Sequence, residues 1–231
     1  MKRVVESELL DELPPTDPQA IRSRRDLRRI NAWMRHHAIM ARALKSHLNG
    51  RAPAQIVELG AGDGTFLLRV AEKTSSRWPK VKATLLDRQK IVKPDTLSSF
   101  TSIGWCADTI TTDAFDWSQS SWPAEVVVAN LFLHHFNDAR LSGLFRSVAA
   151  HTQLFIALEP RRGLWPLCCS RLLWAIGCNY VTRYDAVLSV RAGFNRNELS
   201  RLWPSGDDWQ LTERSTGLFS HLFIAQRTGS K

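Results

Sequence analysis

Ile56-Val57-Glu58-Leu59-Gly60-Ala61-Gly62-Asp63-Gly64-Thr65-Phe66 runs from an apolar stretch straight into a glycine-rich turn and out into a helical pattern. The apolar residues read as a buried strand, and the glycines let the backbone turn tightly and approach a ligand with no Cβ in the way. Their spacing is GxGxG. The dinucleotide fingerprint GxGxxG would put its third glycine at Thr65, which disfavours NAD and FAD.

Downstream, two more apolar runs close on carboxylates. Thr84-Leu85-Leu86-Asp87 presents an acid where an adjacent strand would offer two acceptor oxygens to a ribose diol. Thr111-Thr112-Asp113-Ala114-Phe115 ends a third run with an acid suited to an exocyclic amine, and Asp108 takes that place if the third strand ends earlier. Strands are predicted near 54–59, 82–87, 104–112, 124–130 and 152–158, with helices near 64–77, 88–98 and 137–150. That alternation predicts a parallel sheet covered on both faces. In the tail, runs at 209–216 and 218–226 are separated only by Gly217, which predicts an antiparallel pair at the end of the sheet. The fold class is therefore α/β: a Rossmann-like, seven-stranded sheet with a terminal antiparallel strand pair and an N-terminal helical extension.

VELGAGDG, LLD, TTDAFD and the fourth-strand sequence VVVANLFLHHF resemble the motifs of class I S-adenosylmethionine-dependent methyltransferases. The small-molecule branch that includes the ubiquinone and menaquinone biosynthesis enzymes is nearest in style, and 54–160 and 196–227 carry the likeness. RSRRDLRRINAWM, LEPRRG and VTRYDAVLSVRAGF more faintly resemble bacterial methyltransferases encoded beside type III polyketide synthases, which act on phenolic lipids. The resemblance implies S-adenosyl-L-methionine as cofactor. Gly60, Gly62 and Gly64 would line its methionine moiety, Glu58 would orient the loop and the amino group, and Asp87 would hold the ribose. Asp113 and Ala114 would meet adenine, with Asn130 shaping the pocket.

Methyl transfer to a phenol, whose pKa is near 10, benefits from a general base at neutral pH. His134 and His135 follow the fourth strand, so they are either that base or caps that orient the next helix. Glu159, Arg161 and Arg162 close the fifth strand and would orient a phenol or an acidic head group, unless they form a structural ion pair. The apolar stretch within 163–180, part of an insertion spanning 163–195, reads as a lid over a hydrophobic acceptor, a membrane-touching face, or ordinary core.

Residues 1–50 divide into an acidic leader ending in Pro14-Pro15, expected to be mobile, and a basic helical segment opened by Asp17-Pro18. That segment is one long helix or two with a break near His36. Residues 21–51 hold nine Lys or Arg against the single Asp26, so most of the +9 net charge sits there. A solvated face, nucleic acid, anionic lipid and an acidic carrier are all compatible with it. The fourth strand lacks the Pro-Pro-aromatic and Pro-Cys sequences of nucleic-acid methyltransferases, and only Trp33 is interleaved with the arginines, which disfavours an RNA or DNA substrate. A non-catalytic binding module on the same fold is the third reading. Cys106, Cys168, Cys169 and Cys178 lack metal or disulfide spacing, so free, at least partly buried thiols and no metal are expected. No signal peptide or spanning segment is apparent at 44% hydrophobic residues, which points to the cytoplasm with possible contact at the membrane periphery.

Overall fold

In the central strands both side-chain faces are apolar, and this is why they read as continuous hydrophobic runs. Along β4 (Ala124–Asn130), Val126 and Val128 pack into one core while Val127 and Ala129 pack into the other. β5 (Thr152–Pro160) alternates in the same way, Leu154, Ile156 and Leu158 against Phe155 and Ala157. A computed structural model describes residues 1–118 and 124–229.

The remaining strands are β1 (Gln55–Leu59), β2 (Lys82–Asp87), β3 (Cys106–Thr111), β6 (Trp209–Thr216) and β7 (Ser220–Arg227). Seven strands lie in the order β3-β2-β1-β4-β5-β7-β6. β1 to β5 are parallel, and β7 enters antiparallel between β5 and β6. The chain's direction of travel across the sheet reverses between β1 and β4, and in open α/β sheets ligands bind beyond the carboxyl ends of strands at that point.

Nine α-helices are found among the described residues: α1 (Leu9–Glu12), α2 (Pro18–Trp33), α3 (His36–His47), α4 (Thr65–Glu72), α5 (Pro94–Ser102), α6 (Ala114–Ser118), α7 (Asp138–His151), α8 (Leu164–Arg171) and α9 (Tyr180–Ala192). α4 is shorter than the 64–77 pattern, and the expected 88–98 helix starts only at Pro94, which fits the first helical turn. Of the two forms open to the basic segment, two helices are present. Asp17 caps α2 by accepting the N–H groups of Gln19 and Ala20, and the break comes at Arg35, which is left-handed at φ 59°. α3 is then tied to the sheet, with His36 buried between Asn130 and Ser220.

The leader does not stand free as its composition suggested. The Val4 N–H donates to the Arg191 carbonyl, and Arg3 reaches Ala192, Phe136 and Asp138. The carboxylate of Asp185 accepts the N–H groups of Leu9 and Leu10 at 2.8 and 3.0 Å, satisfying donors that the first turn of a helix leaves unpaired. Cys106 and Cys168 are exposed rather than buried; Cys178 is buried.

Candidate active site

A cavity of about 640 Å³ opens beyond the carboxyl ends of β1 to β4. Its floor is the quoted glycine turn. Gly60, Gly62 and Gly64 all have positive φ, at 67°, 55° and 75°. A Cβ on Gly60 would lie 2.3 Å from the Phe132 ring, whereas one on Gly62 would meet no protein atom within 4 Å and would project into open space. Gly60 and Gly62 line the cavity; Gly64 instead starts α4 against Leu85.

Glu58 lies beneath the turn, 1% exposed, and its Oε2 has no hydrogen-bond partner among the described residues. Burial holds this carboxyl well above the usual carboxylate range, the nearby Asp63 and Asp87 push it further, and the Leu67 N–H offsets only part. Asp87 accepts the Gly62 N–H at 2.8 Å through one oxygen and the Gln89 N–H at 2.8 Å through the other, which fixes the turn to β2 while lone pairs remain for a ligand. Asp113 and Ala114 line the cavity, and Asp113 caps α6 through the Phe115 N–H. The alternative, Asp108, sits on β3 outside the cavity and pairs with Lys82 at 3.2 Å.

Asn130 lines the cavity and accepts from His36 Nδ1 at 2.7 Å. Burial lowers the His36 pKa to about 4, with the Asn130 bond and Glu159 opposing, so the ring is neutral and Ser220 donates to its Nε2. The chain leaves β4 through Leu131 at φ 52°, an uncommon conformation for a non-glycine residue, and enters a 3-10 turn at Leu133–His135.

That turn separates the two histidines. Glu159 is fully buried and accepts the N–H groups of Phe132, Leu133 and His134 at 3.0, 2.8 and 3.3 Å, together with His134 Nδ1 at 2.8 Å. His134 Nε2 meets Glu8 of the leader at 3.3 Å. Carboxylates only accept, so both ring nitrogens carry protons and His134 is an imidazolium. Desolvation opposes that charge, but Glu159 and Glu8 outweigh it and raise the pKa to about 9. A group so held cannot take a proton from a substrate at neutral pH. His135 differs: its Nδ1 lies 3.1 Å from a single carboxylate, Asp11, and both residues line the cavity. The ligand-type atoms of Glu8, His134 and His135 lie within 4.8 Å of one another; Glu8 is drawn there by the His134 imidazolium, and the His135 ring lies against that of His134 with centroids 4.2 Å apart.

Two readings are open to Glu159, Arg161 and Arg162, substrate contacts or a structural ion pair; the structure puts none of the three on the cavity wall and gives Arg162 an ion pair with Glu198. Glu159 holds the histidine turn. Arg162 is 5% exposed and bound to the Met1 and Gly193 carbonyls and to Glu198. Arg161 bridges to Phe194, and its N–H donates to Phe219. From the expected lid, 163–180 contributes no lining residue, and Ser189 of α9 alone represents the longer insertion. The cover consists of leader residues 5–8 and 10–12 with Arg24, Leu27, Arg28 and Asn31 of α2. Arg28 reaches Asp63 in the glycine turn at 2.5 Å, a clamp that sequence reasoning missed. Glu8 and Asp11 were missed as well.

No protein-family model matches the chain, and no curated protein matches it. Solved structures do. The plantazolicin methyltransferase BpumL, solved with S-adenosylhomocysteine, aligns with a TM-score of 0.67 at 11% identity over 92% of this chain and 91% of its own. An O-methyltransferase family protein from Burkholderia thailandensis aligns at 0.55 and 15% identity, over 94% of this chain and 65% of its own. Magnesium protoporphyrin IX methyltransferase from Synechocystis PCC 6803, solved with S-adenosylmethionine, aligns at 0.55 and 12% identity, over 93% and 88%. At these identities the likeness is one of fold, and the fold is the Rossmann-like α/β sheet of methyltransferases.

Proposed function

We propose that the chain transfers a methyl group from S-adenosyl-L-methionine to a hydrophobic small molecule, a phenol or quinol in chemical class. The observation that carries the reading is the unpartnered, buried Glu58 oxygen beneath an open glycine turn, with Asp87 and Asp113 on the same cavity wall. A carboxyl poised for a cation, acceptors at two strand ends and space at Gly62 suit an amino acid joined to a nucleoside without phosphates. Bound there, the cofactor supplies an electrophilic methyl group.

The acceptor end combines Phe132, Phe136 and Leu10 with His135 and Asp11. Phe132 and Phe136 meet edge to face with ring centroids 5.0 Å apart, and Phe115 packs on Phe136 at 4.9 Å, giving an aromatic wall for a planar acceptor. His135 would take the acceptor's proton through Nε2 while Asp11 fixes its tautomer. The leader and α2 over the cavity would exclude water from the displacement.

Calorimetry with S-adenosylhomocysteine tests the cofactor. Labelled S-adenosylmethionine offered with alkylphenols, quinols, total lipid and RNA then tests the acceptor. Binding of the cofactor with label entering the phenol or quinol fraction is expected. Tight NADH binding without S-adenosylhomocysteine binding refutes the first part, and label entering only RNA refutes the second.

A further inference from the structure

The apolar stretch that contributes nothing to the cavity is turned outward. On α8 and the 3-10 turn that follows it, Leu164, Trp165, Leu172, Trp174 and Ile176 are 54–76% exposed within thirteen residues. Scattered single apolar residues on a surface need no explanation, but a cluster with two tryptophans does. None of the described helices is long and apolar enough to cross a membrane.

Beside this patch runs the outer face of α2. Arg29 reaches the Ile176 carbonyl at 3.4 Å, so the helix abuts the apolar segment. Arg22 and Arg25 lie on the same side at helical spacing, exposed and with no hydrogen bond or ion pair to any described residue. Asp26, the single acid of the helix, is turned inward, 3% exposed, where it accepts from Asn179 and Thr182 and reaches only Arg29 among the arginines of this face, at 3.5 Å. An exposed apolar patch with tryptophans and an adjoining row of arginines, of which Arg22 and Arg25 carry no counter-charge while Arg29 pairs with Asp26 at 3.5 Å, suits the interface of an anionic bilayer. The apolar side chains would enter the acyl boundary and the guanidinium groups would meet the headgroups.

We propose that α8, its 3-10 turn and the Arg22–Arg25–Arg29 face of α2 form a docking surface for anionic phospholipid membranes. The opposite side of α2 supplies Arg24, Leu27, Arg28 and Asn31 to the cavity, so docking sets the cavity one helix away from the bilayer. The inference rests on surface chemistry and holds whatever the acceptor is. RNA would engage the arginines but leaves the tryptophans without a role.

The test is co-sedimentation of the full chain with vesicles of phosphatidylcholine alone or mixed with phosphatidylglycerol. Binding to the mixed vesicles is expected, weakening with salt. Arg22→Glu/Arg25→Glu should lower partitioning by about 25-fold or more, at about five-fold per arginine lost, and Trp165→Glu/Trp174→Glu should lower it at least about ten-fold. Both variants should keep S-adenosylhomocysteine binding and the wild-type circular dichroism. A measurement independent of variants is quenching of wild-type tryptophan fluorescence by brominated lipid in the mixed vesicles, which insertion predicts. Wild-type protein left in the supernatant at low salt overturns the proposal, as does unaltered binding by the tryptophan variant. A dimer that the tryptophan variant converts to monomer, without vesicle binding, would assign the face to a second copy. Retention by RNA and not by vesicles would assign the arginines to nucleic acid.

Discussion

Replacing Glu58 by Gln removes the charge beneath the glycine turn while keeping its shape. In the ligand-free protein this carboxyl is buried, unpartnered at Oε2 and flanked by Asp63 and Asp87, so its proton is held far above the ordinary range. A cofactor ammonium placed against it would draw the proton off and form a charge-assisted hydrogen bond of about 1.5–3 kcal/mol. Glu58→Gln should therefore weaken S-adenosylhomocysteine binding by about 10- to 150-fold. Wild-type binding should release a proton below the folded-state pKa, seen as a calorimetric enthalpy that differs between phosphate and Tris buffers, and the variant should show no such difference. Stability moves the other way. With its folded pKa raised, Glu58 favours the native state fully below the unfolded value near 4.5 and loses that contribution as pH rises through the folded pKa, by about 1.4 kcal/mol per pH unit. The ligand-free variant should thus melt higher than wild type above pH 4.5, with a gap that widens as pH rises. Equal affinities together with buffer-independent heats in both proteins would refute the assignment of the amino group to Glu58.

The two histidines should separate kinetically: His135→Ala should lower kcat on a phenolic acceptor by about 10²–10⁴-fold with cofactor affinity kept, and Asp11→Asn by a smaller factor. Turnover by His135→Ala equal to wild type across pH 6–9 would remove it from the chemistry. Because the His134 pKa is raised to about 9, its ion pairs stabilise the docked leader fully below pH 6.5 and fade as pH rises through 9. Limited proteolysis should then find residues 1–15 resistant at pH 7 and cut faster at pH 10, while Glu8→Gln should be cut readily at both; a leader cut equally fast in both proteins at pH 7 contradicts the pairing. Gly62→Ala should cost roughly 1–2 kcal/mol of stability for its left-handed backbone alone yet largely abolish cofactor binding, because its methyl fills open cavity. Gly60→Ala, which drives a Cβ into Phe132, should melt well below Gly62→Ala, and the reverse order would refute the packing argument.

The glycine-turn half of the cavity was legible in the sequence because its information is local. A strand, a glycine turn and a helix succeed one another within Ile56–Phe66; Asp87 ends β2, which pairs with β1, and Asp113 lies two residues past the end of β3, which pairs with β2. Even the Asp108 alternative was a question of where one strand ends, and β3 continues to Thr111. The half around the histidine turn was not legible because it is assembled from afar. Glu8 meets His134 across 126 residues of chain, and an acidic leader ending in two prolines carries no periodic signal of where it docks. The apolar composition of 163–180 identified a surface in need of a partner but not its direction, since short helices with apolar residues on several sides have no single inward face. The two readings of Glu159 and Arg162 could not be separated in the sequence for a related reason. A strand's carboxyl end points at the site only where nothing covers it, and here Gly193–Glu198 folds back over the end of β5 and takes up Arg162.

Glu159 also explains why the paired histidines are unequal. A carboxylate buried at 0% exposure needs several donors to offset its lost hydration, and it finds them in successive N–H groups of the turn after β4 and in one imidazole. Only the histidine whose side chain reaches back under the turn can serve, and this is His134, 2% exposed. The resulting imidazolium has a second N–H that must be met as well, and Glu8 meets it, so the charge of Glu159 adds an anchor for the leader over the cavity to those at Arg3, Val4 and Asp185. His135, one residue further along the 3-10 turn, is thereby left facing the cavity with a single carboxylate, Asp11, delivered by the same leader. The HH of the fourth-strand sequence and the EP that closes the fifth therefore act as one unit: one histidine anchors the cover, and the other is presented to what the cover encloses.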